Sequence, residues 1–594
     1  MKKQVRAAMV AMLALGTVAV QAQSNGAAHK KTVVKKRATA GSATEQELRD
    51  LREMLEKQQA EIDALKQENA EKDAKLHETQ QSAQGAEAAA ATATAKAESV
   101  SSSLTENTQV VSDLSKSVTD LKETNAGLVK MVAETKKQVV EAVDSPMSLR
   151  YRGVTITPVA FFAFETVWRQ RALNSDINTP FTSTPFANAG NAHVSEFNFT
   201  GRQSRVGGLF EGNTGGLKLS GYVEADFLSS GTTSNDNQSN SYTLRQRQIW
   251  GQAATKSGFA VTAGQMWSLV TETKKGTDNR TENLPMTVDS QYHVGFSWLR
   301  LPAIRFQQKL GVTTLALSLE NGQTVGFNNG GANGPSNYFF GGTGNNGGLY
   351  NATTTYTNNV APDIIVKAAF DPKIGHFEVG GLARWFRDRY YPNATATPAS
   401  SAGAVNDTKM GGGFFANGRV KATKYADVGL HFLGGDGVGR YGTSGLSDVT
   451  VHPNGTLEPL RAYQGLFSLE LHPTAKLDVF GYYGGEYVQR TLYMNAKGQQ
   501  VGYAPLTQNN AGCFTEGLPG AGGTSPAGSC GALTRGVFEG TGGFTYRIYS
   551  SPKYGKLQYQ VVYSYLNKKT WIGVGGAPKA DNNMVWTGMR YYIP

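Results

Sequence analysis

The chain has 594 residues, 58 Lys+Arg against 47 Asp+Glu, a formal net charge of +11, and 2 cysteines. Two cysteines exclude a thiolate metal cluster and a disulfide-rich scaffold. Glycine (69 residues), tyrosine (25) and phenylalanine (26) are plentiful, yet beyond the N-terminus no apolar run is long enough for a membrane-crossing helix.

Lys2, Lys3 and Arg6 precede an apolar stretch from Ala7 to Val20, and Val20-Gln21-Ala22 supplies the small residues of a cleavage site. Residues 1–22 read as a secretory signal peptide, which places the mature chain in an exported compartment. Residues 23–44, with Lys30, Lys31, Lys35, Lys36 and Arg37, read as a basic disordered linker.

From Leu48 a heptad begins and keeps one register to Ala142. Position a carries Leu48, Leu55, Ile62, Asn69, Leu76, Ala83, Ala90, Ala97, Leu104, Val111, Val118, Asn125, Val132 and Val139; position d carries Leu51, Gln58, Leu65, Lys72, Thr79, Ala86, Ala93, Val100, Asn107, Leu114, Leu121, Leu128, Thr135 and Ala142. A seam held through so many heptads predicts a self-associating coiled-coil stalk over residues 45–145, about 150 Å long. Pro146 ends it.

After Pro146 the hydrophobic period falls from seven to two. Sixteen strands are predicted at 154–168, 195–211, 216–228, 241–254, 259–269, 303–310, 313–320, 362–370, 376–386, 410–421, 425–433, 460–471, 476–486, 536–548, 556–566 and 582–593. In 303–310, Ile304, Phe306 and Leu310 alternate with Arg305, Gln307 and Lys309; in 313–320, Leu315, Leu317 and Leu319 alternate with Thr314, Ser318 and Glu320. The connections alternate strictly between tight turns and long polar loops, and Asp371-Pro372, His472-Pro473 and Ser551-Pro552 mark three of the turns. Short turns on one side and long loops on the other predict an all-β transmembrane barrel over residues 146–594, in the outer membrane of a bacterium, with the stalk in the periplasm.

Arg or Lys facing lipid at the midplane costs about 2–4 kcal/mol. The faces bearing Glu224, Asp226, Arg245, Arg247, Arg305, Lys309, Glu320, Lys367, Arg419 and Lys421 are therefore expected to line the interior. Residues 1–145 hold 20 basic and 20 acidic side chains, leaving 38 basic against 27 acidic in residues 146–594. With no nucleic-acid motif around these charges, the balance points to anionic solutes. Cys513 and Cys530 share one Gly/Pro-rich loop and are expected to pair as a disulfide. His193, His293, His376, His431, His452 and His472 sit in no catalytic or metal-binding motif, so no enzyme, metal or cofactor is expected.

At Gly221-Tyr222-Val223-Glu224-Ala225-Asp226-Phe227, Leu244-Arg245-Gln246-Arg247-Gln248, Val261-Thr262-Ala263-Gly264-Gln265-Met266-Trp267-Ser268 and Leu317-Ser318-Leu319-Glu320-Asn321 the chain resembles trimeric porins, and DcaP-like porins in particular. The resemblance implies a homotrimer among outer-membrane lipids, a third loop at 270–302 folded into the bore, and passive diffusion of small hydrophilic, anionic solutes. The alternative is a structural tether, in which the basic leader and stalk bind peptidoglycan and the barrel serves as an anchor.

Overall fold

The computed structural model describes residues 97–144, 148–229, 242–325, 331–341, 347–348, 351–355, 357–519 and 530–594. The leader, the linker, residues 45–96 of the predicted stalk and residues 145–147 lie outside the described residues. The chain divides into two units between Val140 and Glu141.

Helix α1 runs from Ala97 to Asp144, 48 residues without an interruption, and all but its last four residues belong to the first unit. Between Thr108 and Thr135 its half-buried side chains are Leu114, Val118, Asn125, Leu128 and Val132, all on the a and d seam; Val111 and Leu121 of that seam are exposed.

In the second unit, sixteen antiparallel strands close into a barrel. They are β1 (Val154–Arg169), β2 in two halves (Glu196–Thr200 and Arg205–Thr214), β3 (Leu217–Asp226), β4 (Arg245–Thr255), β5 (Phe259–Trp267), β6 (Arg300–Leu310), β7 (Thr313–Glu320), β8 (Asp363–Phe370), β9 (Gly375–Tyr390), β10 (Val405–Thr423), β11 (Ala426–Asp436), β12 (Arg461–Thr474), β13 (Leu477–Val488), β14 (Thr534–Ser551), β15 (Gly555–Thr570) and β16 (Lys579–Tyr592). Closure comes from β1, which pairs with β16 from Phe161↔Tyr592 to Arg169↔Met584 and with both halves of β2.

The alternation read from the sequence sorts the two faces. Ile304 and Leu315 are exposed on the outside, as are Phe162, Phe164, Val366, Leu430, Phe432 and Tyr563, while Arg305, Ser318, Glu320, Lys367, His431 and Ser564 point inward and are buried. An apolar outer band around a polar inner face is the pattern of a barrel immersed in hydrocarbon. The short connections are all at one end; one of the two-residue turns joins Thr214 to Leu217 through Gly215 and Gly216, both at positive φ (52° and 88°). Two-residue hairpins of this hand need φ > 0 at both positions, which glycine supplies without strain.

Most predicted boundaries shift by a few residues, as where β10 begins at Val405 and β15 runs on to Thr570, and two differences change the local geometry. The strand expected at 195–211 is broken at residues 201–204, where Arg202 turns to donate to the carbonyls of Phe227 (3.0 Å) and Ser229 (2.7 Å) and to pair with Asp176 (3.1 Å). The turn expected at His472-Pro473 starts later, because β12 continues to Thr474 through an irregularity after Leu471.

Candidate functional site

The bore of the barrel is where the buried charge lies. The segment between β5 and β6, residues 268–299, enters it rather than projecting outward, and most of its side chains are buried. Near its start, Leu269 N donates to Glu320 Oε1 (2.7 Å) and the Lys367 ammonium donates to Thr271 O (2.9 Å). It then runs to the short-turn end, where Gly276 N meets Asp371 Oδ2 (3.0 Å). On the far wall Tyr482 Oη accepts from Met286 N (3.0 Å), Glu539 Oε2 from Val294 N (2.9 Å) and Glu486 Oε1 from Gly295 N (2.9 Å). Backbone that leaves a strand still needs partners when buried, and inward side chains of the barrel supply them.

Gly295 shows how close the crossing is. Its φ is +87°, and a Cβ there would lie 2.1 Å from Gly465 O; reciprocally, a Cβ on Gly484 would lie 1.9 Å from Val294 O. Loop 170–195 enters too, with Phe181 buried and the Lys568 ammonium donating to the carbonyls of Thr182 (2.8 Å) and Thr184 (2.7 Å). Residues 437–460 contribute Gly442, whose carbonyl accepts from Trp298 Nε1 (2.9 Å).

Four of the ten residues expected to line the interior meet in one cluster. Arg245 binds Asp226 bidentately, at 2.9 Å to each oxygen. Arg247 reaches Glu224 Oε1 (2.7 Å), Asp226 Oδ2 (2.6 Å) and Tyr292 Oη (3.0 Å) of the inward loop. The bulge between Glu224 and Ala225 leaves Arg247 without a cross-strand partner and turns both Arg247 and Gln248 into the bore. The cluster holds two cations that pattern reading passed over. Arg205 pairs with Glu224 Oε1 (2.8 Å), and Arg300 stacks on Trp267 (4.7 Å to the ring centroid) with its Nη1 buried and unpartnered. Arginines 205, 245, 247 and 300 thus face the two carboxylates of Glu224 and Asp226.

The other six lie apart from it. Arg305 donates to Trp267 O (2.5 Å) and Asn279 Oδ1 (2.9 Å), and Glu320 and Lys367 anchor the inward loop as described; Lys367 also pairs with Glu378 (2.9 Å). Arg419 is held by Asp427 (3.1 Å) and Glu470. Lys309 and Lys421 are exposed near the short-turn end. Away from the arginine cluster, Arg590 pairs with Glu165 and Arg169 with Glu196, Arg384 is held between two carboxylates, Asp363 and Asp448, and Glu486 and Glu539 are met by N–H groups of the inward loop. In the inward loop, burial with Glu378 nearby pushes the Glu272 carboxyl up to about 8, and burial pushes Asp289 up to about 6.

In loop 489–533, Cys513 and Cys530 are joined as a disulfide, 4.6 Å between Cα atoms. The described residues contain no group of three or more His, Cys, Asp or Glu placed to hold a metal ion.

No protein-family model and no curated protein matches the sequence. Among solved structures, the chain is similar to the outer membrane channel DcaP of Acinetobacter baumannii, with 15% identity, a TM-score of 0.51, and coverage of 75% of this chain and 99% of that one. It is more distantly similar to the trimer form of OmpT of Vibrio cholerae (10% identity, 74% and 99% covered, TM-score 0.38) and to an anion-selective porin from Comamonas acidovorans (10%, 74% and 100%, TM-score 0.37). The chain therefore shares its fold, a closed sixteen-stranded antiparallel barrel, with the DcaP outer-membrane channel.

Proposed function

We propose that the protein is an outer-membrane porin for passive diffusion of small hydrophilic anions, working as a homotrimer, with residues 45–145 forming a periplasmic coiled-coil stalk behind a cleaved leader at 1–22. The observation that carries the reading is the arginine group at residues 205, 245, 247 and 300. It is set on the inner wall beside a loop that narrows the bore, and among the described residues its ion pairs are with Glu224 and Asp226. Guanidinium forks stay charged at any working pH and suit carboxylate and phosphate oxygens. Low-dielectric walls strengthen their field. The fold likeness to a channel supports the same reading.

A second reading is favoured by how much of the bore the inward loops occupy: a barrel that anchors a stalk to peptidoglycan and does not conduct. Reconstitution in planar bilayers separates the two. A pore conducts, and under a KCl gradient its zero-current potential has the sign of anion preference. That preference fades with salt, since the Debye length is about 10 Å at 0.1 M. Absence of conductance leaves the anchor, and a cation-selective pore removes the anion assignment.

A further inference from the structure

We infer that the long-loop rim of β13–β16 carries, on its outer side, a docking surface for a phosphate-bearing lipid headgroup. The inference takes from the proposed function only the outer-membrane location, which puts this rim in the external leaflet; it does not depend on conduction.

The surface is built from outward side chains on four adjacent strands. Tyr487 of β13, Phe538 of β14, and Tyr563 and Tyr565 of β15 face outward, and Trp571 directly follows β15 with its ring 5.9 Å from that of Tyr487. Aromatic girdles of this kind settle at the boundary between hydrocarbon and headgroups. Three cations lie on them and a fourth, Lys579, stands beside one of these. The guanidiniums of Arg490 and Arg535 sit 4.8 and 4.9 Å from the centroid of the Trp571 ring, and the Lys569 ammonium sits 5.0 Å from that of Phe538. Lys569 is paired directly with Lys579 across β15 and β16, and with Gly536 across β14 and β15, next to Arg535 at a register shift.

None of these four cations has an ion pair with a carboxylate among the described residues, and Arg490 Nε is buried without a hydrogen-bond partner. Elsewhere on the same rim, by contrast, the exposed Arg461 is held at 2.8 Å by each oxygen of Asp436. Like charges directly opposite one another destabilise a sheet. Here they stand above an aromatic belt with no carboxylate paired to them among the described residues. An anion offering several oxygens at headgroup level supplies it, and its acyl chains lie against the outward aromatic residues. A free anion gains the charge contacts but nothing from the aromatic band.

The test uses the purified full-length protein in detergent, with diphosphoryl lipid A and its dephosphorylated form as probes and inorganic phosphate as competitor. Binding is read by native mass spectrometry. The variant is Arg535→Gln/Lys569→Gln/Lys579→Gln, all three exposed. It should bind the diphosphoryl lipid on the order of a hundredfold more weakly, from roughly fivefold per cation. Arg535→Lys/Lys569→Arg should keep wild-type binding. Equal binding by the Gln variant, or equally strong wild-type binding of the dephosphorylated lipid, overturns the inference. Competition by inorganic phosphate at matching concentration reassigns the cations to soluble anions and overturns the lipid assignment. Wild-type heat-modifiable migration of the Gln variant shows that it is folded. A protein that binds the lipid but does not conduct keeps this surface and loses the pore.

Discussion

Arg247 and Tyr292 meet at 3.0 Å, strand against inward loop, while two other nitrogens of the same guanidinium hold Glu224 and Asp226. One side chain thus sets both the charge of the inner wall and the seat of the loop that narrows it. Removing one partner of a buried pair costs about 3–5 kcal/mol, because the other charge stays behind. Arg205 and Arg245 still cover the two acids, so the low end applies to Arg247→Ala. That variant should unfold at lower denaturant concentration, and its zero-current potential under a KCl gradient should move toward cations. Arg245→Ala, whose guanidinium is one-third exposed, should shift the potential with little loss of stability. An unchanged potential in both variants would acquit these arginines of setting selectivity.

The glycine crossing gives a second lever. Gly295 cannot accept a Cβ without displacing Gly465 O, and positive φ adds strain to any replacement. Gly295→Ala should loosen the loop from β12 and β13 at a cost of about 1–3 kcal/mol. The expected readout is a larger or noisier single-channel conductance with overall barrel stability retained. Conductance traces identical to wild type would mean that the crossing does not limit flow.

These two levers differ in how far the sequence foretold them. Arg245 and Arg247 were legible because a dyad puts both on one face, and charge cannot face lipid. Arg205 was not. Thr200 and Arg205 both point inward although five residues apart, because the break at 201–204 reverses the phase, and an uninterrupted strand at 195–211 would turn Arg205 to the lipid. All sixteen strands follow from period-two patterning, which is local. The paths of 170–195, 268–299 and 437–460 into the bore are tertiary, and no period marks them. The resemblance to porins, not the residue pattern, anticipated the inward loop.

Two carboxyls of the inward loop make its docking depend on pH. Glu272 titrates at about 8 and Asp289 at about 6, both above the usual carboxylate range, so each favours the docked loop in its protonated form. A raised folded-state value contributes stability that is complete below about pH 4 and lost as pH climbs through 6 to 8. Protease resistance of the loop in intact barrels should therefore fall between pH 5 and about 9. Glu272→Gln should flatten the upper part of that profile, and a loop equally resistant at both ends would reject the linkage.

Cys513 and Cys530 enclose a short stretch of loop 489–533, with a sequence separation of 17. Closing a loop of that length contributes up to about 3 kcal/mol on a chain-entropy account. The double variant Cys513→Ser/Cys530→Ser should leave the barrel folded and make this loop protease-sensitive. The loop-length rule places the pair outside the cell. Intact cells treated with a reductant should thus take up a membrane-impermeant thiol label at both positions. Labelling only after the outer membrane is broken would invert the topology.

The barrel, rather than the helix, should be the assembly device. Within α1, Asn125 occupies an a position, and Val111 and Leu121 of the same seam are exposed. A polar a layer costs stability in a coiled coil even as it fixes register. Alanines at seam positions 83, 86, 90, 93 and 97 have little apolar surface to offer, at about 25 cal/mol per Å². Such a seam associates weakly when alone, whereas barrels present wide apolar faces to one another. Deletion of residues 45–145 should therefore leave trimers that conduct, with sedimentation and single-channel steps in threes as the measurements. The same truncation should reduce recovery of the protein with sheared peptidoglycan if the leader and stalk bind the wall. Monomers from the truncated chain would transfer the oligomerising role to the stalk. Undiminished recovery with peptidoglycan would remove the tether.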